Sequence, residues 1–309
     1  MVMTHYSNEK MNHYSVYGIN ISTEFDLNEL IVSTGKTDLT ILKAKVPNFL
    51  TGTTQSCAFF QAKENEFLTR IEHVGGFYAI EGNKIICEPD QEAEYMSIKM
   101  YLYGFLLPVI LMQRGRFPMH GSCIDVDGKS IVISGQSGVG KSSLAIAFRM
   151  AGYKLVSDDL IALNDDWHDD IYVHYGFPVQ KITVDTAKFL NVDLVGLERI
   201  PGEDKSIIPL TTEFQKNVIP LTALFEIVTY DEEEVKIKEL FGGEKLRCII
   251  ANTYNVEMIG TIGLAQEHFS YGTELAKKIK VFRLSRPIHG FTLEYQMENI
   301  IKEIKKIDV

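Results

Sequence analysis

The 309-residue chain holds only four cysteines, Cys57, Cys87, Cys123 and Cys248, and no two of them form a C-x-x-C pair. Their wide spacing argues against a zinc framework and a disulfide-stapled fold, and leaves free thiols in a reducing cytoplasm as the expectation. No run rich in lysine or arginine exists, and the formal charge of −10 disfavours a nucleic-acid partner. Long apolar runs are scarce as well. The one stretch that resembles a span, Tyr101–Met112, is twelve residues long, carries Pro108, and lies between Lys99 and Arg114. A spanning helix needs about 20 residues, so this stretch reads as a buried helix and no membrane span is expected. The polar Met1–Tyr14 segment lacks the apolar core of a signal peptide, which points to a cytoplasmic location. There is no internal repeat and no low-complexity segment. Apolar residues make up 45% of the chain, ample for the core of one large domain or two small ones.

What is present is concentrated at residues 134–142, Ser-Gly-Gln-Ser-Gly-Val-Gly-Lys-Ser. Gly135 to Ser142 fill the phosphate-loop pattern G-x-x-x-x-G-K-[ST]. Its glycines let several main-chain N–H groups point at one phosphate chain. Lys141 adds a charge that can follow the β- and γ-phosphates, and Ser142 offers a hydroxyl to Mg²⁺. The pattern demands a strand before it and a helix after it. The β-branched run Ser130–Ser134 and the helix-forming run Ser142–Met150 supply both.

Residues 14 to about 90 read as β-rich, with short strands at Tyr14–Ile21, Asp38–Leu42, Phe67–Ile71, Phe77–Ile80 and Lys84–Cys87, and a hairpin turn at 82–84. Glu92–Arg116 reads as helical. Ser122–Asp127 and Ser130–Ser134 read as strands joined by a tight Asp-Gly turn, and Lys154–Ser157 and Leu160–Leu163 as strands flanking Asp158-Asp159. The region 164–220 reads as loop-rich and holds four of the nine prolines. Later strands are expected at Leu221–Ile227, Val235–Leu240 and Val281–Leu284. Helices are expected at Glu244–Thr253, Leu264–Lys277 and Leu293–Ile307.

Three residues accompany the phosphate loop. His120 lies fifteen residues before Gly135, and Asp158 and Asp159 lie seventeen and eighteen residues after Lys141. A strand, loop, helix and strand bring the end of the second strand beside the phosphates, where a carboxylate can hold Mg²⁺ or accept a proton. Adjacent carboxylates on extended backbone point to opposite faces. One can then serve the metal while the other takes the proton of an incoming hydroxyl, a role worth about 10²–10⁴-fold in rate. Which aspartate is the base stays open.

His120-Gly121, Gly135–Ser142 and Gly152-Tyr-Lys-Leu-Val-Ser-Asp-Asp159 together resemble the C-terminal domain of bacterial HPr kinase/phosphorylase. That resemblance implies an α/β fold, a P-loop kinase domain of the HPr kinase and PEP carboxykinase type over residues 91–309; the strand pattern places a β-rich subdomain before it, over residues 1–90. It implies ATP and Mg²⁺ as cofactors. Gly135, Gln136, Ser137, Gly138, Val139, Gly140, Lys141, Ser142 and Ser143 would cradle the nucleotide, with Ser142 and Asp158 at the metal. Asp158 or Asp159 would be the base, supported by His120, with Lys141 on the transferred phosphate. The pattern departs from the family at Ser143, where the family has Glu, and lacks the later L-E-I-R-G-x-G signature. Tyr17–Glu24, Phe177–Ile182, Asp204–Ser206, Leu221–Ile227 and Phe282–Pro287 resemble a divergent branch found in peptide natural-product clusters, some of whose members are lasso peptide kinases. This implies a kinase for a serine hydroxyl of a peptide or small protein, in that branch the C-terminal serine of a lasso precursor. The alternatives are an HPr(Ser) kinase, a small-metabolite kinase, or a regulator that binds ATP without transferring it. A homo-oligomer stays open.

Lys181, Lys205, Arg283 and Arg286 are candidates for phosphate contact, Lys205 and Arg286 foremost because they sit in the matching segments. His168, Asp169, Asp170 and His174 invite a metal reading but read better as a polar loop, as do Asp165-Asp166. Asp231–Glu234 reads as a solvated hairpin turn.

Overall fold

The computed structural model describes residues 10–307 except 54, 57–58, 165–169, 201, 232 and 291. Cys57 and the loop residues Asp165, Asp166, His168 and Asp169 therefore lie outside the described residues. The chain divides into two compact units, residues 1–110 and 111–309.

The first unit is one nine-stranded sheet. Its strands are β1 (Asn12–Val16), β2 (Ile19–Thr23), β3 (Ile31–Val32), β4 (Leu39–Lys43), β5 (Gln55–Ser56), β6 (Phe60–Lys63), β7 (Glu66–Ile71), β8 (Gly75–Ile80) and β9 (Lys84–Pro89). They lie in the order β3-β1-β2-β4-β9-β8-β7-β6-β5. The pairs β2–β4 and β4–β9 are parallel and the rest antiparallel. Alternation places Phe77 and Ala79 of β8, and Ile85 and Cys87 of β9, in the core. The expected hairpin at 82–84 joins these two strands.

A continuous helical stretch follows: α1 (Tyr95–Tyr101), a π-helical turn (Leu102–Leu106) and α2 (Leu107–Gln113). The division between the units falls inside it rather than at residue 90. Its 19 residues make it, among the described residues, the one helix long and apolar enough by length and composition to cross a membrane, and 56% of its most apolar window is buried. The helix expected over Glu92–Arg116 is thus present, and Pro108 lies inside it rather than interrupting it. In the π turn the N–H of Leu107 bonds the carbonyl of Leu102, so the ladder is already displaced one residue before the proline that lacks a donor.

The second unit contains β10 (Met119–Val126), β11 (Lys129–Gly135), α3 (Lys141–Met150), β12 (Lys154–Leu163), β13 (Tyr172–His174), β14 (Val179–Thr183), α4 (Val184–Leu190), β15 (Lys205–Pro209), β16 (Ile219–Tyr230), β17 (Lys236–Glu239), α5 (Gly242–Ala251), α6 (Val256–Thr261), α7 (Ala265–Lys278), β18 (Lys280–Pro287) and α8 (Leu293–Lys306). Seven strands form a sheet in the order β11-β10-β12-β13-β16-β18-β17, and β11 also pairs in parallel with β16. Five strands therefore close on themselves and leave no free edge beside the phosphate loop. β14 and β15 form a separate antiparallel ribbon. The core under the sheet gathers Met119, Val132, Val156, Leu224, Ile249 and Val281 among others. α3 buries Leu144, Ala145, Ile146 and Phe148. β10 turns into β11 through Asp127 and Gly128, both left-handed, as a two-residue hairpin requires.

The fold is α/β with a phosphate loop between β11 and α3, and a β-rich unit precedes it in the sequence. Two details differ from the sequence reading. Residues 154–163 form one strand, so Asp158 and Asp159 lie within β12 and not beyond a strand end. The region 164–220 contains β13, β14, α4 and β15, elements too short to register as periodicity. Among the described cysteines, Cys87, Cys123 and Cys248 are free and buried. Burial pushes the thiols of Cys87 and Cys248 up to about 12, which leaves them unreactive.

Candidate active site

The phosphate loop, residues 135–140, leaves β11 and enters α3. Gly135 adopts φ +132, and a Cβ there would meet the Ile227 carbonyl oxygen at 2.5 Å. The parallel neighbour β16 therefore admits only glycine at this turn. Gly138 and Gly140 are also left-handed, and Gly140 caps α3. The curled backbone turns consecutive N–H groups to one side at a helix N-terminus, where an anion is favoured. Lys141 Nζ donates to the carbonyls of Gly135 (2.8 Å) and Gln136 (3.0 Å). Burial lowers its pKa, and Asp159 and Asp158 partly oppose that shift.

β10 runs antiparallel to β12, with His120 opposite Leu160, Gly121 opposite Asp159 and Ser122 opposite Asp158. The glycine after His120 has a steric cause. A Cβ on Gly121 would sit 2.3 Å from the Ile133 carbonyl oxygen of β11. Asp159 itself is left-handed, with φ +71. That kink cancels the alternation expected of extended backbone, and both carboxylates reach the same residue, Lys181 of β14. Asp158 Oδ2 accepts from the Lys181 main-chain N–H at 3.1 Å, and its Oδ1 accepts from the Ser122 hydroxyl at 2.7 Å. Asp159 Oδ2 accepts from Lys181 Nζ at 2.8 Å.

The two carboxyls titrate in opposite directions. Burial raises Asp158, and the neighbouring Asp159 adds to this. Burial also pushes Asp159 up, but the charge and hydrogen bond of Lys181, with His120 and Lys205, outweigh it and leave Asp159 low. Burial opposes the charge of Lys181, yet the two aspartates raise its pKa overall. Neighbouring carboxyls driven apart in this way are a recurring mark of acid–base sites.

His120 Nδ1 lies 3.2 Å from the Asp159 carbonyl oxygen and 3.6 Å from Asp159 Oδ1. A carbonyl only accepts, so a hydrogen bond there requires the proton on Nδ1. Burial lowers the His120 pKa despite Asp159, favouring the neutral ring. His120, Asp159 and Lys181 keep side-chain exposures of 37%, 34% and 33%, enough for a substrate to reach them. The His120 main chain is fixed on both sides. Its N–H bonds the Asn252 carbonyl at 2.8 Å, and its carbonyl accepts from the Ser134 hydroxyl.

Of the four candidate cations, three lie around the loop or its aspartates. Arg286 Nε donates to the Val139 carbonyl at 2.8 Å, which ties β18 to the loop. Lys205, at the start of β15, pairs with Glu203 at 2.6 Å, and its charge acts on Asp159 and Lys141. Lys181 binds the aspartates directly. Arg283 instead bonds Glu226 (2.8 Å) and Glu244 (3.3 Å) and belongs to the sheet. Ser143 Oγ lies 2.9 Å from Thr186 Oγ1 at the start of α4. Sequence reasoning missed Tyr254, whose ring lies 5.6 Å from that of His120, and whose hydroxyl pKa is raised by burial, Asp159 and Glu203. Nothing in its sequence context marks it, because it reaches the site from the segment after α5. Asp170 and His174 of the polar loop lie elsewhere: His174 pairs with Ala162 in the sheet. Among the described residues no group of three or more His, Cys, Asp or Glu converges to hold a metal.

Sequence comparison covers this same constellation. Residues 114–197 match the HPr Serine kinase C-terminal domain. The match starts ahead of His120, includes the phosphate loop and both aspartates, and ends after α4. This HPr-kinase-like segment also aligns with HPr kinase/phosphorylases. That of Lachnoclostridium phytofermentans is 44% identical over 48 residues, 16% of each chain. That of Bacillus mycoides is 35% identical over 71 residues, 23% of this chain and 21% of the relative. That of Clostridium beijerinckii is 43% identical over 47 residues, 15% of this chain and 16% of the relative. The chain thus spans about a fifth or less of the length of these curated relatives. A solved structure, the Hpr(Ser) kinase/phosphatase of Coxiella burnetii, aligns at 16% identity over 61% of this chain and 97% of its own, with a TM-score of 0.32.

Proposed function

We propose that this chain is an ATP- and Mg²⁺-dependent kinase that phosphorylates a serine hydroxyl of a peptide or small protein. The observation that carries the reading is the convergence of His120, the phosphate loop and the Asp158–Asp159 pair in one partly open site. The glycine-shaped loop and the α3 N-terminus receive the phosphates, and Lys141 follows the transferred group. Each oxygen of Asp158 accepts one hydrogen bond and retains a second lone pair. With Ser142 in the first turn of α3, this oxygen set fits Mg²⁺, which takes one or two protein oxygens beside substrate phosphates. When bound, the ion neutralises charge on the phosphate oxygens. Asp159 stays ionised at neutral pH and is reachable from solvent, so it accepts the proton of the incoming hydroxyl. His120, protonated on Nδ1, steadies it.

The acceptor is the finer part of the proposal. The divergent segments and Ser143 favour the C-terminal serine of a lasso precursor peptide. The match of residues 114–197 to the HPr Serine kinase C-terminal domain favours HPr. Transfer from γ-labelled ATP to a panel holding both, with free serine and other small hydroxyl compounds, separates these readings. Asp159→Asn is expected to reduce transfer by about 10²–10⁴-fold while ATP binding persists. Full transfer by both Asp158→Asn and Asp159→Asn removes the base assignment. ATP binding without transfer to any acceptor turns the reading to a nucleotide-binding regulator.

A further inference from the structure

The phosphate loop is held from outside by a single side chain. Arg286 of β18 donates from Nε to the Val139 carbonyl at 2.8 Å and from Nη1 to the Pro287 carbonyl at 2.7 Å. The guanidinium lies along the loop, since a Cβ on Gly140 would sit 3.7 Å from its Nε and 3.9 Å from its Nη2. The strand end that carries it is pinned. Arg286 pairs with Thr229 and Pro287 with Tyr230 of β16, and the Ile288 N–H bonds the Tyr230 carbonyl at 3.2 Å. β16 also pairs with β11 as far as Gly135, the first residue of the loop. The loop and the arginine that holds it therefore hang from the same strand.

A peptide unit is planar and trans, so its C=O and N–H point to opposite sides. No peptide bond among the described residues is cis. Holding the Val139 carbonyl against β18 thus turns the Gly140 N–H away from β18. Among the described residues neither a carbonyl nor a side chain takes that N–H. The loop itself does little to fix this peptide. Gly140, at φ +102, has no Cβ to resist rotation, and Gly138 on the other side of Val139 is a left-handed glycine as well. A flipped peptide would put the Val139 carbonyl oxygen where an anion must sit. Resting on the kinase reading above, we propose that Arg286 is the positioning residue of the phosphate loop. Its Nε–H holds the Val139 carbonyl outward and so aims the Gly140 N–H at the nucleotide phosphates, without touching them.

The alternative is direct contact. Beyond its two bonds the guanidinium keeps N–H groups and a full charge with which to meet a phosphate. Burial lowers its pKa, and no carboxylate among the described residues opposes this. Side-chain length separates the two roles. In Arg286→Gln the amide nitrogen falls at the position of Nε, which keeps the donor and deletes the charge. Arg286→Met keeps the length and has neither. Arg286→Ala takes its place if the methionine variant does not fold.

Two measurements on the full chain decide the matter. The first uses no nucleotide and follows the Val139 carbonyl ¹³C signal and the amide signals of residues 138–141 by NMR. Arg286→Gln should keep the carbonyl signal in place and one set of amide signals. Arg286→Met should move the Val139 carbonyl upfield, as a lost hydrogen bond does, and broaden or double the Gly140 amide. Loop signals unmoved in Arg286→Met overturn the proposal, whether or not nucleotide binds. The second measures the Kd of ATP·Mg²⁺ and ADP·Mg²⁺ by calorimetry. Arg286→Met should weaken both by about tenfold or more and by similar factors, whereas Arg286→Gln should stay within about threefold of the unaltered chain. A loss in Arg286→Gln as large as that in Arg286→Met makes the charge a phosphate ligand and overturns the proposal. So does an Arg286→Met variant that binds as tightly as the unaltered chain. An unaltered chain that binds nucleotide but transfers nothing counts against the kinase reading alone. If it binds no nucleotide, that reading falls, while the ligand-free spectra still judge the hold of Arg286 on the loop.

Discussion

Asp158 and Asp159 are chemically identical neighbours whose pKa values move in opposite directions: burial raises Asp158, whereas at Asp159 the bonded ammonium of Lys181 outweighs burial. The same logic governs a residue far from the chemistry. Burial, with the charge of Arg116, lowers the pKa of His174 to about 4. Its unfolded form takes up a proton near the ordinary value of 6.5. Between those values the unfolded chain binds a proton that the folded chain refuses, so stability falls as pH drops from about 6.5 to about 4. The loss levels off below that window, at a size of about 3 kcal/mol. His174→Gln is expected to flatten this part of the acid limb in denaturant melts run across that window. A limb identical to that of the unaltered chain contradicts the assignment. Gly121 offers a second test. Alanine there must push against the Ile133 carbonyl, and a cost of about 1–3 kcal/mol in the denaturation midpoint is expected.

Several strands and a helix end meet in one buried polar chain behind the site. Arg283 of β18 bonds Glu226 of β16 at 2.8 Å, and Glu226 Oε1 accepts from Asn252 Nδ2 at 3.1 Å. Asn252 Oδ1 lies 2.7 Å from the Ser134 hydroxyl at the end of β11, which also reaches the carbonyl of His120 in β10. Asn252→Leu leaves Glu226 and Ser134 short of partners. It is expected to cost about 1–3 kcal/mol in chemical denaturation and to lower transfer through a displaced His120. An unchanged midpoint would sink this account. Little of this chain is legible in the sequence, since its members lie up to 163 residues apart, from His120 to Arg283. The phosphate loop, by contrast, could be read directly, because its constraint is local: glycine geometry and one strand–helix junction. The spacing of His120 and the aspartates gave their neighbourhood correctly. It could not give the left-handed turn at Asp159, which sits where β12 pairs with β10 and where both carboxylates meet Lys181 of β14, and which reverses the expected divergence of the two carboxyls. α4 did leave a local trace in Thr183, a capping residue three positions before Thr186, but seven residues are too few for a helical period to show.

The chain carries a formal charge of −10 and yet is proposed to hold a polyanion. The site resolves this locally, with Lys141, Lys181, Lys205 and Arg286 around a loop whose N–H groups add further positive potential. Anything that binds only the folded state stabilises it by mass action, by about 2.7 kcal/mol when the free ligand is 100-fold above its Kd. ATP·Mg²⁺ is therefore expected to raise the unfolding temperature in a concentration-dependent way. Lys141→Ala should remove most of that rise, because it deletes the cation proposed to follow the phosphates while leaving the buried contacts of α3, Leu144, Ala145, Ile146 and Phe148, in place. Asp159→Asn should retain the rise, since in the proposed function its carboxylate serves the acceptor and repels rather than binds the nucleotide. This contrast separates two properties that a transfer assay alone confuses. A chain that has lost transfer but melts higher with ATP still binds nucleotide. A chain in which Lys141→Ala leaves the ATP-dependent rise intact does not use the 135–142 loop for phosphate, and the functional reading falls with it.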